Sequence, residues 1–246
     1  MVAFYKIDKH WALFYGILIG DGCLSLCGKH RFVVITCNLL DDIPFFDSLV
    51  VPLAERLRGR RVTYRKRYDW NKIEINFSDP LLFESLVSLG FPIGKKGPII
   101  IPVSFPQSLW RYIIAGIFAT DGSFVLKNNN GTLYPRIEFR SISQKLLLQI
   151  KEFLIGSGMK GNVYRTVSSG SIAYRLEFPG VRNVMTFEDT IGFANPKHTH
   201  RFLLSTRYRG ISWKEWLDVR RDELLDPVDN PQYFTCPSRR VSVKSR

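Results

Sequence analysis

The sequence predicts an α+β fold made of two pseudo-symmetric halves, each running helix, two strands, helix, two strands, helix (αββαββα). Three observations carry this. An apolar stretch of helical length closed by Asp-Gly occurs twice, over residues 13–22 and 113–122, with matches at Gly16/Gly116, Ile17/Ile117, Asp21/Asp121 and Gly22/Gly122. Each copy is followed by the same succession of two-residue and 3.6-residue hydrophobic periods. Two further anchors, Ile35/Ile142 and Leu89-Gly90-Phe91/Ile191-Gly192-Phe193, keep the copies in step while loops absorb small changes of offset. The halves are expected over 1–103 and 104–209, with 210–246 belonging to neither.

In the first half, Asp8 is placed to cap the first helix. The pattern then turns extended, giving strands at 23–28 and 31–37 joined around Gly28-Lys29-His30. Residues 41–58 set Phe45, Phe46, Leu49, Val50, Leu53 and Leu57 on one helical face, with Pro52 bending or splitting the helix. Strands at 61–69 and 72–77 turn at Trp70-Asn71, and Ile73, Ile75 and Phe77 alternate with Lys72, Glu74 and Asn76. A helix over 80–90 and an apolar link over 99–103 complete this half.

The second half repeats the order. A helix over 107–121 leads to strands at 123–128 and 134–143, separated by Asn128-Asn129-Asn130-Gly131. A helix over 144–155, strands at 162–168 and 172–178 and a helix over 181–191 follow. Residues 213–225 read as one amphipathic helix. The tail, with Arg239, Arg240, Lys244 and Arg246, reads either as a solvated basic tail or as an arm on a nucleic-acid backbone.

The chain of 246 residues carries 35 Lys plus Arg against 22 Asp plus Glu, a formal charge of +13. That surplus points to a polyanion, either nucleic acid or an acidic membrane surface. No apolar run approaches the roughly 20 residues of a membrane span, and no basic-then-apolar leader opens the chain, so an intracellular, non-membrane protein is expected. Cys23, Cys27, Cys37 and Cys236 lack the partners of a zinc site and are read as reduced, mostly packed thiols.

The closure of the two repeated helices is electrostatically unusual. A carboxylate in the last helical turn faces the negative end of the macrodipole. The small residues Gly16, Gly20, Ala115, Gly116 and Ala119 leave room for two helix backbones to approach closely. Side by side, the helices deliver Asp21 and Asp121 together, and a divalent cation relieves the repulsion. Hard oxygen donors favour Mg²⁺.

On the strands, Arg61, Thr63, Arg65 and Arg67 alternate beside Lys72, Glu74 and Asn76; in the second half Arg136, Glu138 and Arg140 alternate, as do Arg175 and Glu177. Such a face is either simply solvated or suited to DNA, since Arg forks fit guanine edges and phosphates while Glu and Asn fit cytosine and adenine edges.

The segments Phe14-Tyr15-Gly16-Ile17-Leu18-Ile19-Gly20-Asp21-Gly22 and Ile114-Ala115-Gly116-Ile117-Phe118-Ala119-Thr120-Asp121-Gly122 resemble the nine-residue motif of the LAGLIDADG homing endonucleases, in their single-chain, two-motif form. The first copy departs at Tyr15, where the family has a smaller residue. The resemblance extends over most of residues 10–205. It implies a saddle of antiparallel strands over double-stranded DNA, a monomer, and a metal-dependent endonuclease of the intron or intein homing type. It also implies Asp21 and Asp121 as ligands of Mg²⁺ or another divalent cation such as Mn²⁺, helped by the carbonyls of Gly20 and Thr120. Around them it implies a surrounding set of polar groups. Register puts Lys95 and Lys197 in equivalent places, Gln144 opposite Cys37, and Lys145 opposite Asn38. His198 and His200 are expected as backbone contacts rather than ligands. The alternatives are an RNA maturase and a non-catalytic nucleic-acid-binding protein on the same scaffold.

Overall fold

Two helices that meet without side chains between them set the arrangement. The computed structural model describes residues 6–168 and 171–225. Helix α1 (Lys9–Asp21) starts at Asp8, whose carboxylate accepts from the amides of His10 and Trp11, both at 2.9 Å. Helix α5 (Trp110–Asp121) follows a 3₁₀ turn at Gln107–Leu109. The two pack along each other through glycine. A methyl group at Gly16 would overlap the carbonyl oxygen of Ile113, and one at Gly116 the carbonyl oxygen of Leu13. Neither neighbour is a side chain that could turn away.

Each motif helix runs straight into a strand. The closing glycines are not left-handed caps: Gly22 and Gly122 have φ of −92° and −80°, which any residue adopts. They are glycine because a methyl group at Gly22 would strike Leu18, and one at Gly122 would strike Phe118.

The first sheet has the order β1-β2-β4-β3, from β1 (Gly22–Cys27), β2 (His30–Asn38), β3 (Tyr64–Arg67) and β4 (Lys72–Ser78), all antiparallel. The second repeats it as β5-β6-β8-β7, from β5 (Gly122–Asn129), β6 (Thr132–Ser141), β7 (Asn162–Ser168) and β8 (Ser171–Pro179). One face of each sheet buries its alternating apolar residues, Ile73, Ile75 and Phe77 in the first and Ile137, Phe139, Leu176 and Phe178 in the second. Helices α4 (Pro80–Ser88), α6 (Gln144–Gly156) and α7 (Val181–Thr190) cover these faces. A single hydrophobic core runs through α1, α5 and both sheets.

Three expectations need correction and one, on Pro52, holds. Residues 61–63 do not join a strand, because helix α3 (Val51–Arg58) takes their backbone: the amide of Val62 donates to Glu55 at 2.9 Å and the carbonyl of Arg61 accepts from Arg58 at 3.3 Å. The helix expected over 41–58 is indeed split ahead of Pro52. The short helix α2 (Ile43–Phe45) runs through a π-helical turn (Phe46–Val50) into α3, so the regular α-helical ladder is interrupted just before the proline that lacks an N–H. The register anchor Ile35/Ile142 is displaced. Gly22 pairs with Ile35 while Gly122 pairs with Phe139, so Phe139 is the counterpart of Ile35 and Ser141 that of Cys37. Finally, helix α8 (Pro196–Arg207) was not foreseen; it packs with α9 (Trp213–Leu225) around a small cluster of Leu133, Leu204 and Trp216. The basic tail and Cys236 lie outside the described residues.

The buried Tyr15 packs edge-on to Phe91 and tilted against Phe105, with ring centroids 5.8 and 4.9 Å away, and its hydroxyl has no hydrogen-bond partner among the described residues. An unmade buried hydrogen bond costs about 1–3 kcal/mol. Tyr15→Phe is therefore expected to raise stability, whereas Gly16→Ala, which forces backbones apart, should lower it by about 1–3 kcal/mol. Urea unfolding of the two variants checks the opposite signs; a Tyr15→Phe protein less stable than wild type would contradict the packing described.

Candidate active site

The ends of α1 and α5 meet as the duplication implies. A methyl group on Gly20 would overlap the Thr120 hydroxyl and lie 3.4 Å from the carboxyl carbon of Asp121, so Asp121 rests against α1. Asp21, on the neighbouring helix end, accepts from Cys37 Sγ at 3.2 Å. Burial raises its pKa, the Cys37 contact opposes this, and the charge of Asp42 adds to the rise. Asp121 opens to solvent on one side, yet protein crowds it enough that lost hydration, and then the charge of Asp21, lift its pKa to about 6; Lys96 pulls the other way.

Lys96 is the residue that sequence reasoning missed. Its ammonium donates to the carbonyls of Leu18 at 3.1 Å, Ile19 at 2.8 Å and also Gly20, satisfying the C-terminus of α1 and setting a positive charge beside both acids. Burial lowers its pKa, and Asp121 and Asp21 counter that. Lys95, the expected lysine, is exposed. The offset that joins Gly90 to Gly192 joins Lys95 to Lys197 and Lys96 to His198. His198 is fully buried with its ring 4.7 Å from that of Phe118, and burial holds its pKa well below the usual range, so it does not reach a nucleic-acid backbone.

Lys197 behaves differently from Lys95. Its ammonium lies 2.8 Å from Asp42 Oδ1, across from the first half to the second. Asn195 donates to the same oxygen at 2.9 Å and to the carbonyl of Ala119, also at 2.9 Å, so it closes the end of α5 much as Lys96 closes α1. The other Asp42 oxygen accepts from the amide of Asn38 at 3.2 Å. Asp42 is buried and ties β2 to the start of α8, while Asn195 carries the link on to α5. Gln144 and Lys145, by contrast, are exposed in the first turn of α6, after the capping Ser143.

The polar sheet faces differ between the halves. Arg65 pairs across from Glu74 and Arg67 from Lys72, all on the face away from the core, together with Asn76. Among the described residues no ion pair ties down Arg65, Arg67 or Lys72. Arg61 and Thr63 are exposed beside this strand rather than on it. In the second half Glu138 and Glu177 sit directly opposite each other, and both are buried. Arg136 offsets that repulsion, contacting Glu177 at 2.7 Å and Glu138 at 2.6 Å, while Arg175 contacts Glu177 at 2.5 Å. These glutamates lie on the outward face but are covered by the arginines they hold, and Arg140 is left as the exposed guanidinium of the set.

The donor set fits a hard divalent cation. Asp21 and Asp121 supply two carboxylates whose mutual repulsion Lys96 relieves only in part. The helix ends supply main-chain oxygens, of which that of Thr120 is left without an intrahelical partner and that of Gly20 is shared with Lys96. Among the described residues no group of three or more His, Cys, Asp or Glu offers another metal site.

Residues 109–192 match the LAGLIDADG-like domain family. Over most of its described length the chain takes the fold of the LAGLIDADG homing endonucleases. The structure of I-DmoI in complex with DNA and Ca aligns with a TM-score of 0.57 at 19% identity, covering 74% of this chain and 88% of that one. The meganuclease I-AabMI bound to uncleaved DNA aligns with a TM-score of 0.59 at 10% identity, covering 88% and 98%. In sequence, 125 residues are 28% identical to a reverse gyrase of Methanocaldococcus jannaschii, and 153 residues are 28% identical to a tRNA-splicing ligase RtcB of Pyrococcus furiosus. These matches cover 51% and 57% of this chain but only 7% and 16% of the two relatives. No helix among the described residues is long and apolar enough to cross a membrane.

The acid pair makes a pH prediction for the metal-free protein. Asp121 of the LAGLIDADG-like half takes up its proton near pH 6 when folded and near 3.8 when unfolded. Between these values the folded state binds more protons, so this group favours folding as pH falls and opposes it as pH rises through about 6. In EDTA at pH 8, Asp121→Asn should melt at or above the wild-type temperature, with the gap closing towards pH 5. A lower melting temperature at pH 8 would contradict the strain assigned to the pair.

Proposed function

We propose that this chain is a site-specific double-strand DNA endonuclease of the homing type, acting as a monomer inside cells on a long, imperfectly two-fold site. The observation that carries this is the pair of charge-strained carboxylates at two glycine-packed helix ends, flanked by two sheets with outward-facing basic residues. The DNA-bound structures that share the fold support it, as does the +13 charge of the chain. The matches to short segments of two unrelated enzymes also fit a mobile module rather than the core of either.

In this reading Asp21 and Asp121 hold Mg²⁺, or another divalent cation such as Mn²⁺, with the carbonyls of Thr120 and Gly20. Such a cation, when bound, acidifies a water and neutralises charge developing on the cleaved phosphate. The chain's own residues do the rest. Lys96 and Lys197 add fixed positive charge beside the acids, and Asp42 keeps Lys197 on the Asp21 side. Arg65, Arg67, Lys72, Asn76, Arg140 and the neighbouring Arg61 and Thr63 hold and read the duplex, with Glu74 as a base-edge acceptor. Lys95 and Gln144, being exposed, are assigned at most to the DNA backbone.

The test is cleavage of a supercoiled plasmid library carrying randomised inserts, in Mg²⁺, Mn²⁺ or EDTA, with linear products sequenced. Wild type should linearise a small, related set of sequences and only with metal. Asp21→Asn and Asp121→Asn should each cut slower by orders of magnitude while still binding the selected site. Near wild-type cutting by either variant would remove the proposed site. Lys197→Ala should slow chiefly one strand, seen by labelling each strand separately in a time course; equal slowing of both would detach Lys197 from the Asp21 side. Affinity should fall by about 10³–10⁵ between 50 and 200 mM salt if roughly 6–10 phosphates are contacted.

A further inference from the structure

The turn between β3 and β4 exposes two aromatic rings that the fold does not use. Tyr68 and Trp70 are 67% and 71% exposed, on a 3₁₀ turn that ends at Asn71 with φ of 48°. A large aromatic surface left in water, flanked by charge, marks an interaction site. The turn is held in place: Leu39 donates to the carbonyl of Asn71 at 3.1 Å, Asn71 donates to the carbonyl of Tyr68 at 3.2 Å, and the Asn71 side chain reaches Asn38 at 3.4 Å. Nothing needs to be ordered before these rings can make contact.

Its position is informative. Asn38 pairs with Lys72, and Cys37, one residue earlier on β2, contacts Asp21. The turn therefore sits at the same end of the sheet as the acid pair, two to three strand spacings away, or roughly 10–15 Å. The Lys72 ammonium lies 5.4 Å from the centre of the Trp70 ring, which sets that ring on the polar face and not towards the core. Arg65, Lys66, Arg67 and Lys72 surround the pair, all exposed. This charge complements a phosphate backbone and repels basic partners.

The second half is built differently at this end. Among its described residues β7 and β8 extend to the pair Ser168–Ser171, and the exposed side chains before that end are the aliphatic Val167 and Ile172. The exposed aromatic ring on these strands, Tyr164, lies farther back, opposite Arg175.

We infer that Trp70, with Tyr68 beside it, is a stacking contact for DNA, taking the face of a base or deoxyribose of the duplex on the first-half side of the cleavage centre. Base faces within a duplex are covered by their neighbours, so the ring packs on a deoxyribose or wedges at a kinked step that exposes a base face, and either contact tolerates sequence. It adds affinity that is independent of salt, whereas the arginines and lysines around it add affinity that salt removes. The inference rests on the DNA-binding reading above but makes a separate claim about one turn.

The experiment uses the full chain and a pool of mixed-sequence 40-bp duplexes carrying a fluorescent end label. Anisotropy titrations at several salt concentrations give the affinity and its salt slope for wild type, Trp70→Ala, Trp70→Phe and Lys72→Met. Intrinsic tryptophan emission is followed in parallel. The expected result is a loss of about 5- to 100-fold for Trp70→Ala with an unchanged salt slope, and retention of most affinity by Trp70→Phe. Lys72→Met should instead flatten the slope by about one. DNA should quench wild-type emission, and most of that quenching should be absent from Trp70→Phe. Wild-type affinity for Trp70→Ala, or full quenching in Trp70→Phe, overturns the stacking role and leaves the nuclease reading intact. A wild type that binds no duplex overturns both.

Discussion

The contact between the backbones of α1 and α5 is the constraint on which the rest of this molecule depends. Gly16 and Gly116 are placed where a single methyl group would meet a carbonyl oxygen of the other helix. Because the helices touch this closely, their last residues are brought together, and because each passes without a loop into β1 or β5, the two sheets leave from opposite sides of one seam. The position of the acids and the spread of the strands are thus one geometric fact seen twice.

That geometry concentrates negative charge. Two carboxylates and the carbonyl ends of two helices converge where burial weakens hydration. The protein balances this with one donor per helix, Lys96 on α1 and Asn195 on α5. The balance is incomplete, as the raised pKa of Asp121 shows. A site left short of positive charge is unfavourable for folding and suited to holding a cation, the usual sense in which function and stability oppose each other.

Much of this was legible in the chain. The repeated motif, the alternation of Ile73, Ile75 and Phe77 and the cap at Asp8 are local patterns tied directly to periodicity, and the fold follows them. What escaped was decided by contacts distant in sequence. Strand β3 is short because Glu55 and Arg58 claim the backbone of the residues before it. The Ile35/Ile142 anchor failed because similarity of residue type was allowed to stand for pairing, and a strand's register is set by its neighbours. Lys95 and Lys96 are adjacent and chemically alike, so only the path of the loop after Phe91 decides which one turns inward. Helix α8 begins Pro-Lys-His-Thr-His, and its polar start hid a helix that buries His198 and Leu204. The alternating Arg and Glu of the second half do lie on the outward face, but cross-strand pairing turns most of them into a ladder of arginines closed over two glutamates.

The bond between Asp42 and Lys197 occurs once. Its would-be twin, Lys95, stands in solvent without an ion pair among the described residues, and the residue equivalent to Cys37 is Ser141. In a symmetric dimer of identical halves every such bond would appear twice or not at all. Here the tie is written into one half as an acid and into the other as its base, so each half has become a lock cut for a particular key. Duplication of an ancestral half was therefore followed by a step that runs in one direction. Hybrids that exchange halves with related proteins would need to carry Asp42, Asn195 and Lys197 together to restore the seam.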